Sequence, residues 1–257
     1  MTSAAALLDW ANAGLWHMAL VFLRVGALMA VMPGFSEQSV PVRVRLGLAI
    51  AFTMIVAPAV EPLTPQAPWA LSVFLTYLTT ETIAGLALGI GLRLFVIALQ
   101  TAGAMAAQAT SLSQIAGAAA EPLPAIGHLL VVGGLALAMM MGLHVAAAEY
   151  LIGSYQVLPP GRFPQPSDLS QWGIAGVAHA FSLAFTLAAP FVIVSVIYNM
   201  TLGVINRAMP QLMVAFVGAP VITFGGLALL FLLMPTILIV WRDAFFGFMI
   251  NPFGAQP

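Results

Sequence analysis

Residues 205–220, INRAMPQLMVAFVGAP, separate two long apolar stretches and decide how the last part of the chain folds. Asn206, Arg207, Pro210 and Gln211 lie together here, whereas the residues on both sides are almost entirely hydrocarbon. Because proline removes a helix hydrogen bond and clashes with the preceding turn, the stretch predicts a break between two helices. Polar groups freed at such a break need hydrogen-bond partners, since burying them unsatisfied is costly.

The composition of the chain indicates an integral membrane protein. Of its 257 residues, 62% are hydrophobic and only 6% are charged, and the mean hydropathy is +1.06. Soluble domains are roughly 25% charged, so this chain could not cover a water-exposed surface. Its net charge of −1 offers no basic footprint for nucleic acid. The chain contains no cysteine, which excludes disulfides and thiol chemistry.

The apolar stretches predict membrane-spanning helices. A spanning helix needs about 20 mostly apolar residues, and these runs lack the alternation of polar and apolar residues found in membrane barrels. We therefore predict an all-α protein with a single membrane domain over residues 1–257, and prolines inside the last two segments predict kinks. The helical segments are predicted near residues 13–32, 44–60, 70–102, 125–152, 173–203 and 212–241.

Three ionisable side chains fall inside these segments: Arg24, Glu81 and Arg93. Each is expensive there, because a charged residue at a helix centre costs roughly 2.5–3.5 kcal/mol on insertion scales. Glu81 and Arg93 lie about 18 Å apart along one helix, so they cannot pair within it. Each must bond to another element, reach the interface or line a hydrated path. The sequence is compatible both with a structural interhelical ion pair and with a functional role beside water.

The third segment carries Gly85 and Gly89 at Gly-xxx-Gly spacing, with Gly91 beside them. Small residues at this spacing let two helix backbones approach closely, which favours helix association in lipid. We predict close helix packing at this face, with a contact between subunits as one form of it.

Residues 103–122 are too polar for comfortable exposure to lipid and too apolar for an ordinary solvated loop. Non-helical backbone at membrane depth is tolerated only inside protein or beside a water-filled cavity. The composition fits a re-entrant or pore-lining loop, and it fits equally well the end of the third helix followed by a turn. The residues that we assign to this segment are Gly103, Met105, Gln108, Ser111, Gln114 and Gly117.

Enzyme motifs are missing from the sequence: we find no zinc-protease motif, nucleophile elbow, phosphate-binding loop or dinucleotide fingerprint. The four histidines are scattered, which gives a metal site little support. We expect no catalytic residues, cofactor or metal. An alternative function is a secondary transporter of a small solute that uses Glu81 and Arg93, although such transporters usually show repeated halves and these halves share no visible pattern. An intramembrane enzyme is a third class, and it lacks a nucleophile.

Three stretches resemble the FliR family of flagellar export proteins, called SctT in injectisome-type secretion systems. Residues 24–58 combine an arginine, a Pro-Gly-Phe turn and Pro-x-Arg-x-Arg. Residues 81–114 combine a glutamate, a Gly-rich helix and a small-residue loop. Residues 206–226, NRAMPQLMVAFVGAPVITFGG, are the most specific, with Asn-Arg-x-x-Pro-Gln followed by Gly-x-Pro. Together the matches cover roughly residues 20–240.

The resemblance implies a subunit of a protein export gate. Members of this family join FliP-like and FliQ-like subunits in a helical assembly at the bacterial inner membrane, in the flagellar basal body, partly displaced toward the periplasm. FlhB-like and FlhA-like export components, unfolded export substrates and membrane lipid are the further implied partners. The implied fold consists of helical hairpins, and a loop near residues 103–122 plugs the closed pore. By the same resemblance Asn206, Arg207, Pro210 and Gln211 are satisfied by neighbouring subunits.

Overall fold

The computed structural model describes residues 2–37, 39–61, 70–110, 125–209 and 214–254; for residues 2–10, 214–217 and 219 it describes the backbone alone. Within these ranges every regular element is helical, which confirms the predicted all-α class. The helices are α1 (Thr2–Val31), α2 (Val42–Val60), α3 (Leu71–Thr110), α4 (Ala125–Met140), α5 (Leu143–Val157), α6 (Pro166–Ala208) and α7 (Val214–Ile250).

Several of these helices are long and apolar enough to cross a membrane. By length and composition, the described chain has five such helices, and six if the bent pair of α4 and α5 counts as one span. Five to six long apolar helices agree with the six segments expected from the sequence.

The predicted segment 125–152 is two helices rather than one. The axes of α4 and α5 differ by 77° across a break of two residues, Met141 and Gly142. Gly142 has φ of +87°, a left-handed conformation that side chains rarely adopt, although a β-carbon there would meet no atom within 4 Å. Glycine is therefore required at this elbow for its backbone conformation and not for space.

Other helix boundaries also differ from the expected ones. The third helix continues to Thr110 instead of ending near residue 102, and the last helix continues to Ile250. The sixth helix begins at Pro166 with Asp168 in its first turn, two features typical of a helix N-terminus. It runs on through Pro190 to Ala208.

The chain groups into two compact units, whereas we predicted a single membrane domain. Unit 1 comprises Met1–Leu94, Met139–Gly176 and Phe248–Pro257. Unit 2 comprises Phe95–Ala138 and Val177–Gly247. Helices α3, α4, α6 and α7 each contribute residues to both units.

Unit 1 has an aromatic core between α1 and α3, and α2 bonds to the same part of α1. Trp16 and Tyr77 are buried together, and the Trp16 ring centroid lies 5.8 Å from that of Phe74. Nε2 of His17 donates to the carbonyl oxygen of Ala57 at 2.8 Å. This bond satisfies one of the last carbonyls of α2, which have no partner within their own helix.

Unit 2 is built around Trp241 of α7, which is completely buried. Its Nε1 donates to the carbonyl oxygen of Phe95 in α3 at 2.8 Å, and its ring stacks on Phe245 with centroids 5.0 Å apart. Gly134 of α4 makes room for the indole, because a β-carbon at Gly134 would lie 3.3 Å from Cζ3 of Trp241. The tryptophan thus joins three helices of this unit.

Candidate functional site

Arg24 lies in the interior of unit 1, and only 1% of the residue is exposed. Its Nε donates to Oε2 of Glu81 at 2.8 Å. Its Nη1 donates to Oγ of Ser154 at 3.1 Å, and its Nη2 donates to the carbonyl oxygen of Leu158 at 2.8 Å. The guanidinium carbon also lies 3.8 Å from the ring centroid of Tyr155, a cation–π contact. All three nitrogens therefore have partners, which offsets the cost of burying the charge.

Glu81 is equally buried, and both of its carboxylate oxygens are occupied. Besides the ion pair through Oε2, Oε1 accepts a hydrogen bond from the backbone N–H of Gly161 at 3.0 Å. The hydroxyl of Thr80 lies 3.4 Å from the same oxygen. We call the side chains of Arg24, Thr80, Glu81, Ser154 and Tyr155, with the backbone of Leu158 and Gly161, the buried polar cluster.

The buried polar cluster connects α1, α3, α5 and the segment between α5 and α6. Of the two roles compatible with the sequence, its geometry fits the interhelical ion pair. Arg93 does not join it, because Nη1 of Arg93 donates to Oγ of Ser36 at 3.1 Å and lies 3.5 Å from the carbonyl oxygen of Val31. Val31 is the last residue of α1, so Arg93 bonds at the negative end of that helix. Glu81 and Arg93 therefore bond to different partners in two separate places.

Gly85 and Gly89 bring α3 against the backbone of α1. A β-carbon at Gly85 would lie 2.8 Å from Cβ of Ala27 and even closer to the carbonyl oxygen of Arg24. A β-carbon at Gly89 would lie 3.1 Å from the carbonyl oxygen of Leu28. The two helices thus touch at backbone distance beside the ion pair, which lets side chains from both reach one another.

Gly91 serves a different contact on the same helix. A β-carbon at Gly91 would lie 2.8 Å from Cη2 of Trp172 and 2.9 Å from Cζ of Phe248. Nε1 of Trp172 donates to the carbonyl oxygen of Pro252 at 2.7 Å. The glycine therefore makes room for an aromatic group that holds the residues following α7 in unit 1.

The expected pore loop is partly helical. Gly103, Met105 and Gln108 lie inside α3, so a loop that starts at residue 103 is wrong for these residues. Helix α3 crosses α4 at Gly103, because a β-carbon on Gly103 would lie 2.5 Å from the backbone nitrogen of Gly127. The polar residues did not end the helix, because amide side chains are compatible with helical backbone. Ser111, Gln114 and Gly117 lie outside the described residues.

The polar break near residue 207 lies at the tip of a hairpin formed by α6 and α7. The hydroxyl of Tyr198 donates to the carbonyl oxygen of Gly218 at 2.6 Å, which ties the two helices together. Asn206 and Arg207 are exposed in the last turn of α6. Within the described part of the chain, the Arg207 side chain has no hydrogen bond or ion pair. Pro210 and Gln211 fall outside the described residues.

Sequence comparison identifies the family to which this fold and site belong. The sequence model described as "Bacterial export proteins, family 1" matches residues 15–248, nearly the whole chain. The chain belongs to this export-protein family.

Relatives of this export protein come from several bacteria. The flagellar biosynthetic protein FliR of Caulobacter vibrioides is 35% identical over 230 residues, which cover 88% of this chain and 92% of the relative. FliR of Escherichia coli is 31% identical over 238 residues, covering 90% and 87%. FliR of Aquifex aeolicus is 27% identical over 235 residues, covering 89% of each chain.

Sequence reasoning identified only Arg24 and Glu81 of the seven residues in the buried polar cluster of this export protein. Ser154, Tyr155 and Gly161 lie between the predicted helical segments 125–152 and 173–203, where an apolar helix gives way to Pro-Pro-Gly. The available signal was a serine and a tyrosine at the end of an otherwise apolar helix. Among the described residues, no group of three or more His, Asp or Glu residues lies close enough together to hold a metal ion.

Proposed function

We propose that this protein is a non-enzymatic subunit of the flagellar type III export gate. With FliP-like and FliQ-like subunits it forms the inner-membrane channel through which unfolded substrates pass. FlhB-like and FlhA-like components lie next to this channel, and the energy for export comes from other components. The proposal is supported by the relatives named flagellar biosynthetic protein FliR, which match this chain over most of their length.

The exposed apolar face of α6 is the observation that carries the assembly part of the proposal. Exposed apolar side chains run along this helix from Ile174 to Ile205. These two positions are about 46 Å apart along the helix axis, whereas the hydrocarbon core of a bilayer is about 30 Å thick. Lipid alone cannot cover a helix face of this length unless the helix tilts strongly. Neighbouring helices of other subunits would cover it, and the excess length fits a gate displaced toward the periplasm.

The tip of the α6–α7 hairpin supports the same assembly. Arg207 is exposed without a polar partner among the described residues, next to apolar side chains such as Met200 and Val204 that are also exposed. A partner subunit with an acidic side chain or free carbonyl groups would satisfy the guanidinium while covering the apolar neighbours. Asn206 and Arg207 are therefore assembly residues in our proposal, as are Pro210 and Gln211.

Residues 111–122 are the part of the expected loop that we retain as a pore plug. They join α3 to α4, whose crossing at Gly103 and Gly127 makes a close-packed base for the loop. Gly103 then belongs to this base and not to the loop. Replacing Gly117 with Trp should disturb closure and raise the ion permeability of cells that carry the variant. An ion leak equal to that of the parent would argue against the plug.

The central experiment compares the chain alone with the chain made together with its proposed partners. Native purification should return FliP-like and FliQ-like subunits in a stable complex. The chain expressed alone should be more sensitive to protease and should aggregate, because its apolar faces lack their cover. A monodisperse single chain that resists protease as well as the complex, and that captures no such subunits, would overturn the proposal.

A further inference from the structure

We infer that Arg24 and Glu81 form a directional latch, which holds residues 158–165, between α5 and α6, against α1 and α3. We call these residues the latched segment. The inference concerns the internal order of unit 1 and does not depend on the proposed function. Arg24 and Glu81 are thereby assigned to positioning this segment and to neither ion coupling nor contact with a partner.

The latch has a direction because the latched segment offers one acceptor and one donor. The carbonyl oxygen of Leu158 follows the last turn of α5 and accepts from Nη2 of Arg24. The backbone N–H of Gly161 donates to Oε1 of Glu81. Backbone groups cannot exchange these roles. A carboxylate at position 24 would face the carbonyl oxygen, and a guanidinium at position 81 would face the N–H.

Ser154 adds a second directional contact. Its hydroxyl donates to the carbonyl oxygen of Leu151 at 2.6 Å, so its oxygen is left to accept from Nη1 of Arg24 at 3.1 Å. A carboxylate in place of the guanidinium would meet the lone pairs of this oxygen unless the hydroxyl gave up its bond to Leu151. The ring of Tyr155, which lies against the guanidinium, likewise favours a cation over an anion.

The latched segment is shaped to fit the pair. Gly161 has φ of +72°, and a β-carbon on it would lie 3.0 Å from the ring of Tyr77 in α3. Pro160 beside it is buried, whereas Arg162 and Phe163 are exposed. The buried polar cluster thus holds the inner side of the segment, and Arg162 and Phe163 lie on its exposed outer side.

Since the chain lacks cysteine, single thiols can report on this segment. Pro160→Cys is the loop reporter, because Pro160 is buried only while the segment is in place. Ala49→Cys is the core reporter, on α2 of unit 1 and 4% exposed. The rate of maleimide labelling is measured for the full-length chain in bacterial membranes, expressed together with its export partners.

Three changes are compared in both reporters: Glu81→Leu, the double change Arg24→Leu with Glu81→Leu, and the exchange Arg24→Glu with Glu81→Arg. We expect each to speed labelling of the loop reporter about tenfold or more, because buried backbone groups lose their partners. Labelling of the core reporter should stay as in the parent. Arg162→Ala, which removes an exposed arginine from the same segment, should change neither rate.

The exchange separates the latch from a plain ion pair. The attraction between two opposite charges stays the same when they are exchanged, so parental protection of the loop reporter in the exchange variant would overturn the inference. Equal acceleration at both reporters would also overturn it, because it would mean general unfolding. If the charge variants do not accumulate, Gly161→Ala disturbs the segment and leaves the ion pair intact. It should expose the loop reporter alone, and unchanged protection there would contradict the latch.

Discussion

Arg24 and Arg93 show that two arginines in the same unit can have very different hydrogen-bond partners. Arg24 is fully buried and bonds to a carboxylate, a hydroxyl and a carbonyl group. Arg93 is half-buried, and its bonds go to the hydroxyl of Ser36 and, at longer range, to the carbonyl of Val31. Removal of Arg24 leaves a buried carboxylate uncompensated, whereas removal of Arg93 leaves only neutral groups.

The two arginines should therefore differ in their contribution to stability. We expect Arg24→Ala to lower the free energy of unfolding by about 3–5 kcal/mol, the cost of breaking a buried ion pair. Arg93→Ala should cost about 1–2 kcal/mol, since it removes hydrogen bonds of a partly solvated charge. Thermal unfolding of the detergent-purified complex measures both changes. Equal losses in the two variants would contradict this assignment.

At the residue scale, the sequence predicts which side chains are costly to bury, but it does not predict their hydrogen-bond partners. Arg24 and Glu81 stand out because charges are rare in apolar helices. Their pairing across 57 positions leaves no local pattern. The bonds to Leu158 and Gly161 use backbone groups, which every residue possesses, so no residue type signals them.

At the scale of helices, glycine positions decide where two backbones meet. Gly103 of α3 crosses Gly127 of α4 so closely that even a methyl group would collide with backbone atoms. Gly203 of α6 lies in open space within the same unit. Backbone cannot move aside as a side chain can, so the two glycines should respond differently to the same substitution.

Gly103→Ala should lower the unfolding temperature of the detergent-purified chain, because α3 and α4 must move apart. Gly203→Ala should leave the unfolding temperature of the detergent-purified chain unchanged or raise it, since alanine is favoured over glycine in a helix by up to about 1 kcal/mol. Differential scanning fluorimetry of both variants makes the comparison. A destabilisation by Gly203→Ala as large as that by Gly103→Ala would refute the crossing as the cause.

The number of apolar helices could be predicted, because runs of hydrocarbon side chains identify them directly. The end of α3 could not, since Gln108 and Thr110 continue a helix as readily as they start a loop. The elbow between α4 and α5 is even harder to predict from the sequence. Its surroundings are apolar and free of proline, and Gly142 is one of 23 glycines in the chain.

At the scale of the whole molecule, substituting an exposed arginine should affect assembly of the complex without affecting the folding of the chain. Arg207→Ala should leave the chain's own protease resistance unchanged, because Arg207 is exposed and has no partner among the described residues. The same change should reduce recovery of the complex in native purification. Arg162→Ala, another exposed arginine outside the hairpin tip, is the matched control. Full recovery of the complex with Arg207→Ala would remove this residue from the interface.

The elbow at Gly142 also bears on the order in which the protein is made. Its two arms have 16 and 15 residues, and neither reaches the about 20 residues of a helix that crosses lipid unaided. Only the two arms taken together are long and apolar enough to cross a bilayer as one stretch. If they enter the bilayer in that form, the 77° bend has to develop after entry.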